Sequence, residues 1–195
     1  ENQRSSTADE PPGAKPAMWV AMQRDLAAAG AVADPVRVVD GDQVTEAALT
    51  VLRIIAKHDM VLATGHISAK EATVLVRAAV SAGVRRIVVT HPEFTSQRMT
   101  IQQQRELAEA GAMLERCLTT PLTGKVSWES WIEHVRAIGP EHSVLSSDLG
   151  QPFNPPVEDG LPLMADVLLE AGFSTDEVYR MAVENSRLLA AAPER

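Results

Sequence analysis

The chain has 195 residues, of which 45% are hydrophobic and 4% aromatic, so it can bury one sizeable core and one domain is the default. Its net charge of −8 argues against nucleic acid as a partner, because phosphate binding needs clustered lysine and arginine. No apolar run approaches the roughly 18 residues of a membrane-spanning helix, so we expect no membrane association. The single cysteine, Cys117, cannot form an intramolecular disulfide, and we expect a cytoplasmic protein.

The opening stretch ENQRSSTADEPPGAKP is rich in proline, serine and charge, which predicts a flexible N-terminal arm over residues 1–17. It starts with Glu1 instead of methionine, and we therefore expect a processed or cut piece of a longer polypeptide. The folded domain is expected over residues 18–195.

From Met18 onward, amphipathic helices alternate with continuously apolar runs. The 3.6-residue spacing, capping boxes and terminal glycines predict helices at 18–30, 44–58, 68–83, 100–111, 127–139, 161–172 and 174–192. The apolar runs predict strands at 60–64, 86–90, 112–118 and 143–147, and a short strand followed by a turn at 35–42. Apolar strands separated by helices indicate a parallel sheet covered by helices, and hence the α/β class.

Four ionisable residues follow, or lie within, successive predicted strands: His66, His91, Glu115 and Asp148. Carboxyl ends of successive parallel strands face one mouth, which in a (β/α)8 barrel is where the active site is built. Two neutral imidazoles and one carboxylate suit a divalent ion such as Zn²⁺ and leave a coordination position for water. We therefore predict a metal site made by His66, His91 and Asp148, with Asp148 also accepting the proton of the activated water.

Each of these residues also has a structural alternative. Taken singly, His66 or His91 could be a hydrogen-bonded structural histidine, and Asp148 could simply begin the loop that follows it. Glu115 could be a charge on a strand edge. Cys117 is interpreted as a core residue, because no partner histidine is in an obvious place.

The ordered segments ATGH, VVTHP, SSDLGQ and MAVENSRLLA together resemble the C-terminal part of the amidohydrolase superfamily, which comprises metal-dependent hydrolases on a distorted (β/α)8 barrel. The chain is most similar to a group of uncharacterised bacterial amidohydrolase-like proteins that carry LATGH and VVTHP segments. This resemblance covers residues 36–192. It implies a TIM-barrel-type fold of which this chain supplies roughly strands 4–8, with His66, His91 and Asp148 in the metal centre.

The sequence departs from the family pattern in three places. It has no His-x-His pair of the kind that ends the family's first strand, and only Asp40 and Asp42 could replace the ligand that ends strand four. In the last helix, Ser186 replaces a proline. The missing first strands would leave sheet edges and apolar surface exposed, so we expect a second polypeptide or N-terminal segment to carry them, in an oligomeric assembly.

Two loops are predicted to contact a small polar substrate. Pro92 ends the strand sharply after His91 and can present Glu93 towards the mouth. The long loop after Asp148 supplies Gln151 and Asn154, and Glu115 can reach the cavity from its strand.

The sequence therefore predicts a hydrolase that cleaves a C–N or C–O bond of a small molecule, such as an amide, cyclic amide or lactone, with metal-activated water. Zn²⁺ is the expected cofactor, with Mn²⁺ or Fe²⁺ as alternatives. Two other functions stay open: a non-catalytic fragment or subunit of a split barrel, and a lyase, decarboxylase or isomerase on the same scaffold.

Overall fold

A four-stranded parallel sheet forms the centre of the protein, in a computed structural model that describes residues 18–31, 36–95 and 97–191. A two-stranded antiparallel ribbon precedes it, formed by β1 (Val39–Asp40) and β2 (Gln43–Val44). The sheet strands lie side by side in chain order, with the first and last at its edges: β3 (Val61–Ala63), β4 (Arg86–Val89), β5 (Met113–Cys117) and β6 (Ser143–Ser146). The predicted arm at 1–17 lies outside the described residues.

Helices connect and cover these strands. The longer ones are α1 (Met18–Ala28), α2 (Glu46–Lys57), α3 (Ala69–Ser81), α4 (Ile101–Glu109), α6 (Trp128–Ile138) and α7 (Gly160–Glu170), with a short α5 (Thr119–Leu122) after β5. The chain ends in α8 (Thr175–Tyr179), a π-helical turn (Arg180–Glu184) and α9 (Asn185–Ala190). Short 3₁₀ turns lie at Pro140–His142 and Val157–Asp159. Among the described residues, no helix is both long and apolar enough to cross a bilayer.

Capping boxes fix where three of the helices begin. The hydroxyls of Ser68, Thr100 and Ser174 each accept a hydrogen bond from the backbone N–H three residues on, and the side chain at that position accepts one from the cap backbone. All three boxes were predicted from the sequence. They set the helix starts, and with them the lengths of the loops that carry the strand-end residues.

The core is built in two clusters on the helix side of the sheet. Leu62, Ile87 and Leu114 pack with α2, α3 and α4 in the first cluster, and Leu145 packs with Trp131 and helices α6 to α8 in the second. These strand positions alternate with residues of the opposite face, which is less covered: Val61 at the sheet edge is 39% exposed.

The predicted strand at 35–42 forms, but it does not join the parallel sheet. Val39 pairs antiparallel with Val44 across a two-residue turn at 41–42, in which Gly41 has a φ of 61°. A turn this short can join only antiparallel strands, and glycine supplies its positive φ without steric cost. The described residues therefore form a mixed α/β fold whose parallel sheet has four strands and no closed barrel.

The last of the described residues are tied to the start of β4. The Arg86 guanidinium donates hydrogen bonds to the carbonyl oxygens of Leu189 and Ala191, and it pairs with Asp59 at 3.1 Å. At the opposite end of the sheet, a methyl group at Gly160 would meet the Ser147 Cβ at 2.6 Å. Helix α7 is thus packed directly against the loop that carries Asp148.

Candidate metal and active site

The two strand-end histidines meet above β3 and β4. The Nε2 atom of His66 lies 2.9 Å from the Nε2 atom of His91, and the ring centroids are 4.6 Å apart. His66 is exposed, whereas His91 is only 4% exposed. The pair therefore forms one polar site, with His91 on its buried side and His66 on its solvent side.

Two threonines bring the histidines together by cross-linking the strand ends. The Thr90 backbone N–H donates to the Thr64 hydroxyl at 3.0 Å, and the Gly65 N–H donates to the Thr90 hydroxyl at 3.0 Å. These bonds continue the β3–β4 ladder beyond its last backbone pair. They hold the residues directly before His66 and His91 in register, a role that sequence reasoning missed although threonine precedes the histidine in both ATGH and VVTH.

The His91 backbone adopts a conformation that non-glycine residues rarely take, with a φ of 22°. His91 begins a turn that the Phe94 N–H closes on the His91 carbonyl at 2.9 Å, with Pro92 at its second position. The centroid of the Phe94 ring lies 4.9 Å from that of the His91 ring. In the same loop the Gln97 amide donates to the Gly65 carbonyl at 3.1 Å, which ties it to the His66 segment.

The protonation of the pair follows from burial. Burial lowers the pKa of the His91 imidazole, and the neighbouring His66 ring lowers it further, so His91 is neutral at pH 7. Its Nδ1 atom is buried without a partner among the described residues. Because unpaired buried N–H donors are rarer than unpaired acceptors, we assign the His91 proton to Nε2, donating to His66.

Glu115 lies on β5, and it is half-buried. Burial raises the pKa of its carboxyl group, interactions with the Ser146 side chain and the His91 backbone oppose this, and the Asp148 charge raises the pKa again. The net result is a carboxyl group whose pKa lies above its ordinary value, as is common for titratable groups in functional sites.

Asp148 stands at the rim, exposed to solvent, with a φ of 51°. Its Oδ2 accepts a hydrogen bond from the Thr119 hydroxyl at 2.8 Å. Its charge acts to raise the pKa of both His91 and Glu115, which places the carboxylate in their electrostatic neighbourhood. Thr119, at the start of the unpredicted helix α5, is therefore a further site residue that the sequence did not reveal.

The donor atoms fit a divalent cation in part. Nitrogens 2.9 Å apart can each lie about 2.1 Å from one ion at an angle of about 90°, and opening to a tetrahedral angle moves them apart by only about 0.5 Å. However, the part of the chain that the structure describes brings no three of its histidine, cysteine, aspartate and glutamate side chains together in a metal-binding group. The structure thus brings two of the three predicted ligands together, and the roles of His66, His91 and Asp148 as metal ligands stay predictions.

Glu93 lies in the core instead of at the mouth. Its carboxylate pairs with the Arg116 guanidinium, and both side chains are almost completely buried. Arg116 also donates to the Gln104 side-chain oxygen at 2.8 Å and to the Ser143 hydroxyl at 3.3 Å. Substrate contact by Glu93 would require this ion pair to open.

The side-chain amide of Gln104 determines whether the His134 Nδ1 atom donates or accepts a hydrogen bond. Because the Gln104 oxygen accepts from Arg116, its nitrogen donates to the Met99 carbonyl at 3.1 Å and faces the His134 Nδ1 atom at 2.7 Å. His134 Nδ1 therefore accepts this hydrogen bond, and the same atom lies 3.5 Å from the Glu93 carboxylate.

Burial raises the pKa of the Glu93 carboxyl group, but opposing interactions, of which the Arg116 charge is the largest, outweigh burial and lower it below 4.5. Burial also lowers the pKa of Arg116, yet the neighbouring Glu93 charge opposes this and the guanidinium stays charged at neutral pH. The pair is therefore ionic under ordinary conditions.

The remaining predicted site residues lie in the loop after Asp148. Gln151 is exposed and Asn154 half-buried, and the Asn154 N–H closes a turn on the Gln151 carbonyl at 3.0 Å. The Asn154 side-chain nitrogen is buried without a partner among the described residues. Cys117 is buried, and burial followed by the Glu115 charge raises the pKa of its thiol, which agrees with a core residue and not a nucleophile.

Residues 5–115 match the sequence model of a family of unknown function, DUF6282. The chain belongs to this family. No curated protein matches it.

The DUF6282 chain also resembles a solved structure, that of a metallopeptidase from Rhodobacter sphaeroides liganded with a phosphinate mimic of the dipeptide L-Ala-D-Ala. The TM-score is 0.59 at 18% sequence identity, and the match covers 80% of this chain and 48% of the peptidase chain. At this identity the likeness shows a shared fold. The DUF6282 chain spans about half the length of that neighbour.

The Thr64→Val variant tests the hydrogen bond between the Thr64 hydroxyl and the Thr90 N–H at the strand ends. Valine keeps the side-chain shape but leaves the Thr90 N–H without its acceptor. We therefore expect urea unfolding to show a loss of about 1–3 kcal/mol in the free energy of unfolding. Thr64→Ser keeps the oxygen and serves as the control. Equal losses in both variants would show that packing, and not the hydrogen bond, holds the strand ends.

The Glu93–Arg116 pair predicts a specific acid sensitivity. Above pH 4.5, Glu93 is ionised in both folded and unfolded chains, and its contribution to stability is complete. As the pH falls below 4.5 the unfolded chain takes up the proton first, so stability falls until the lower folded pKa is reached. Urea unfolding between pH 7 and pH 3 should therefore show a smaller acid loss in the double variant E93L/R116M than in the parent. Parallel pH profiles would contradict the lowered pKa of Glu93.

Proposed function

We propose that this protein is a metal-dependent hydrolase that cleaves a C–N or C–O bond of a small molecule, such as an amide, cyclic amide or lactone. One observation carries the proposal: two strand-end imidazoles point the same nitrogen, Nε2, at each other across 2.9 Å. Two structural histidines have no need to converge, whereas two ligands of one ion do. The metallopeptidase fold of the neighbour supports the same class.

His66 and His91 would hold the cation, with Asp148 as the proposed third ligand. Imidazole and carboxylate donors favour Zn²⁺, with Mn²⁺ and Fe²⁺ as alternatives. A divalent cation at such a site polarises a carbonyl group and makes water more acidic. His91 would then carry its proton on Nδ1, so that both Nε2 lone pairs face the ion.

The other site residues would divide the handling of protons and substrate. Thr119 binds Asp148 through Oδ2, which orients the carboxylate to take a proton from the attacking water and pass it to the leaving group. Glu115, half-buried on β5, would bind a polar group of the substrate. Gln151 and the buried Asn154 amide nitrogen would bind polar groups of the substrate from the loop above.

A second polypeptide segment would complete the site by extending the sheet towards a (β/α)8 barrel. The four strands leave β3 with an unpaired edge, where Val61 and Met60 are 39% and 51% exposed. On the adjoining helix α2, Val51 and Ile54 are also about half exposed. The same segment would supply the remaining cation ligands, which fits the 48% coverage of the neighbouring fold.

Metal titration tests the ligand assignment. We expect the purified, chelator-treated protein to bind Zn²⁺, and His66→Ala and His91→Ala to weaken binding by at least about tenfold, measured by competition with a chromophoric chelator. His58→Ala, at the exposed end of α2, is the matched control. Undiminished affinity in both site variants would refute the assignment.

Native mass spectrometry tests the completion of the barrel. Protein purified from its own source should appear in an assembly, or as a longer chain, heavier than the 21.0 kDa of this sequence. A single 21.0 kDa species that hydrolyses amides or lactones would contradict the need for a second segment.

A further inference from the structure

We infer that Glu93 and Arg116 are positioning residues for His91: their buried ion pair anchors the Pro92 turn, which holds His91 in the positive-φ conformation where its Nε2 meets that of His66. The role as a metal ligand rests on the proposed function. The positioning itself does not, because the 2.9 Å contact is present between the two imidazoles alone.

The first step concerns the free energy of burying the Glu93–Arg116 ion pair. Both side chains are removed from water, with exposures of 0% for Arg116 and 1% for Glu93. The desolvation of two charges cancels much or all of their attraction, and apolar residues of similar volume often give equal stability. Folding stability alone therefore does not explain why this position carries charge.

The second step is the path from the pair to His91. Glu93 occupies the third position of the turn that His91 begins, and the intervening Pro92 has a fixed φ. The Met99 N–H donates to the Pro92 carbonyl at 2.9 Å, so the loop returns across the turn. With Glu93 fixed at one end, the turn has little freedom to rotate His91 away.

The third step is the rigidity of the anchor. Arg116 lies in the central strand β5 and binds Gln104 of α4 and the Ser143 hydroxyl of β6 as well as Glu93. An anchor joined to two strands and a helix cannot move without disturbing the core. The strained His91 backbone is thus held by the most constrained part of the sheet.

The test separates positioning from stability. Single substitutions would leave a buried charge alone and could prevent folding, so the double variant E93L/R116M removes both charges and keeps apolar volume. Should the double variant not fold, the triple variant with Gln104→Leu also removes the amide left without its partner. Leu168→Ala, in the second core cluster, is a control that destabilises the protein without touching the network.

Two measurements decide the outcome. The Zn²⁺ affinity should fall about tenfold or more in E93L/R116M and stay unchanged in Leu168→Ala. In the metal-free proteins, ¹⁵N-edited NMR of histidine should show the shared Nε2 proton of His66 and His91 in the parent and in Leu168→Ala, and its loss in the double variant. Parent-like affinity together with a retained proton signal in the double variant would overturn the inference. If the parent itself binds no Zn²⁺ through these histidines, the proposed function fails, and the proton signal alone decides the positioning role.

Discussion

The register of β3 against β4 is the constraint on which the site depends. Leu62 pairs with Ile87, 25 positions later, and His91 follows His66 by the same 25 positions. Parallel strands in this register carry both histidines past the strand ends to equivalent places, about one strand spacing apart. The Thr64–Thr90 hydrogen bonds preserve the alignment for the last two residues before the histidines. A slip of one residue would turn one imidazole to the other face of the sheet and separate the pair.

The same reasoning explains why the Asp148 backbone lies further along the sheet than the backbones of the two histidines. Strands β5 and β6 pair 29 positions apart, as Leu114 with Ser143, which aligns Asp148 with Thr119. The β4–β5 register of 25 positions aligns His91 with Arg116, and Arg116 pairs with Leu145. Asp148 follows Leu145 by three positions, so its backbone lies about 10 Å further along straight strands than the position aligned with His91. Its hydrogen bond with Thr119 is the contact that this register favours.

These registers also separate what the sequence could predict from what it could not. Helix starts were predictable because Ser68, Thr100 and Ser174 act through residues three positions away, and strand ends because apolar runs stop at His66 and His91. The isolated ribbon at Val39 was missed because one apolar strand looks alike whether it pairs within the sheet or with its own neighbour. Arg116 and Thr119 were missed because their roles depend on partners 23 and 29 positions away, and nothing in the local pattern encodes such pairings.

Two of the four described non-glycine residues with a positive φ are predicted metal ligands. Of the described non-glycine residues with positive φ, His91 and Asp148 both directly follow a strand-end segment of the sheet, and the Asp148 carboxylate accepts a hydrogen bond from Thr119 at the start of α5. Strained backbone persists only where the surroundings over-determine it. Arg116 of β5 does this for the Glu93 carboxylate, two residues after His91, and Thr119 of α5 does it for Asp148. A central strand that bears two ionisable residues in succession would weaken an ordinary core, and here one of them, Arg116, anchors the loop that carries His91.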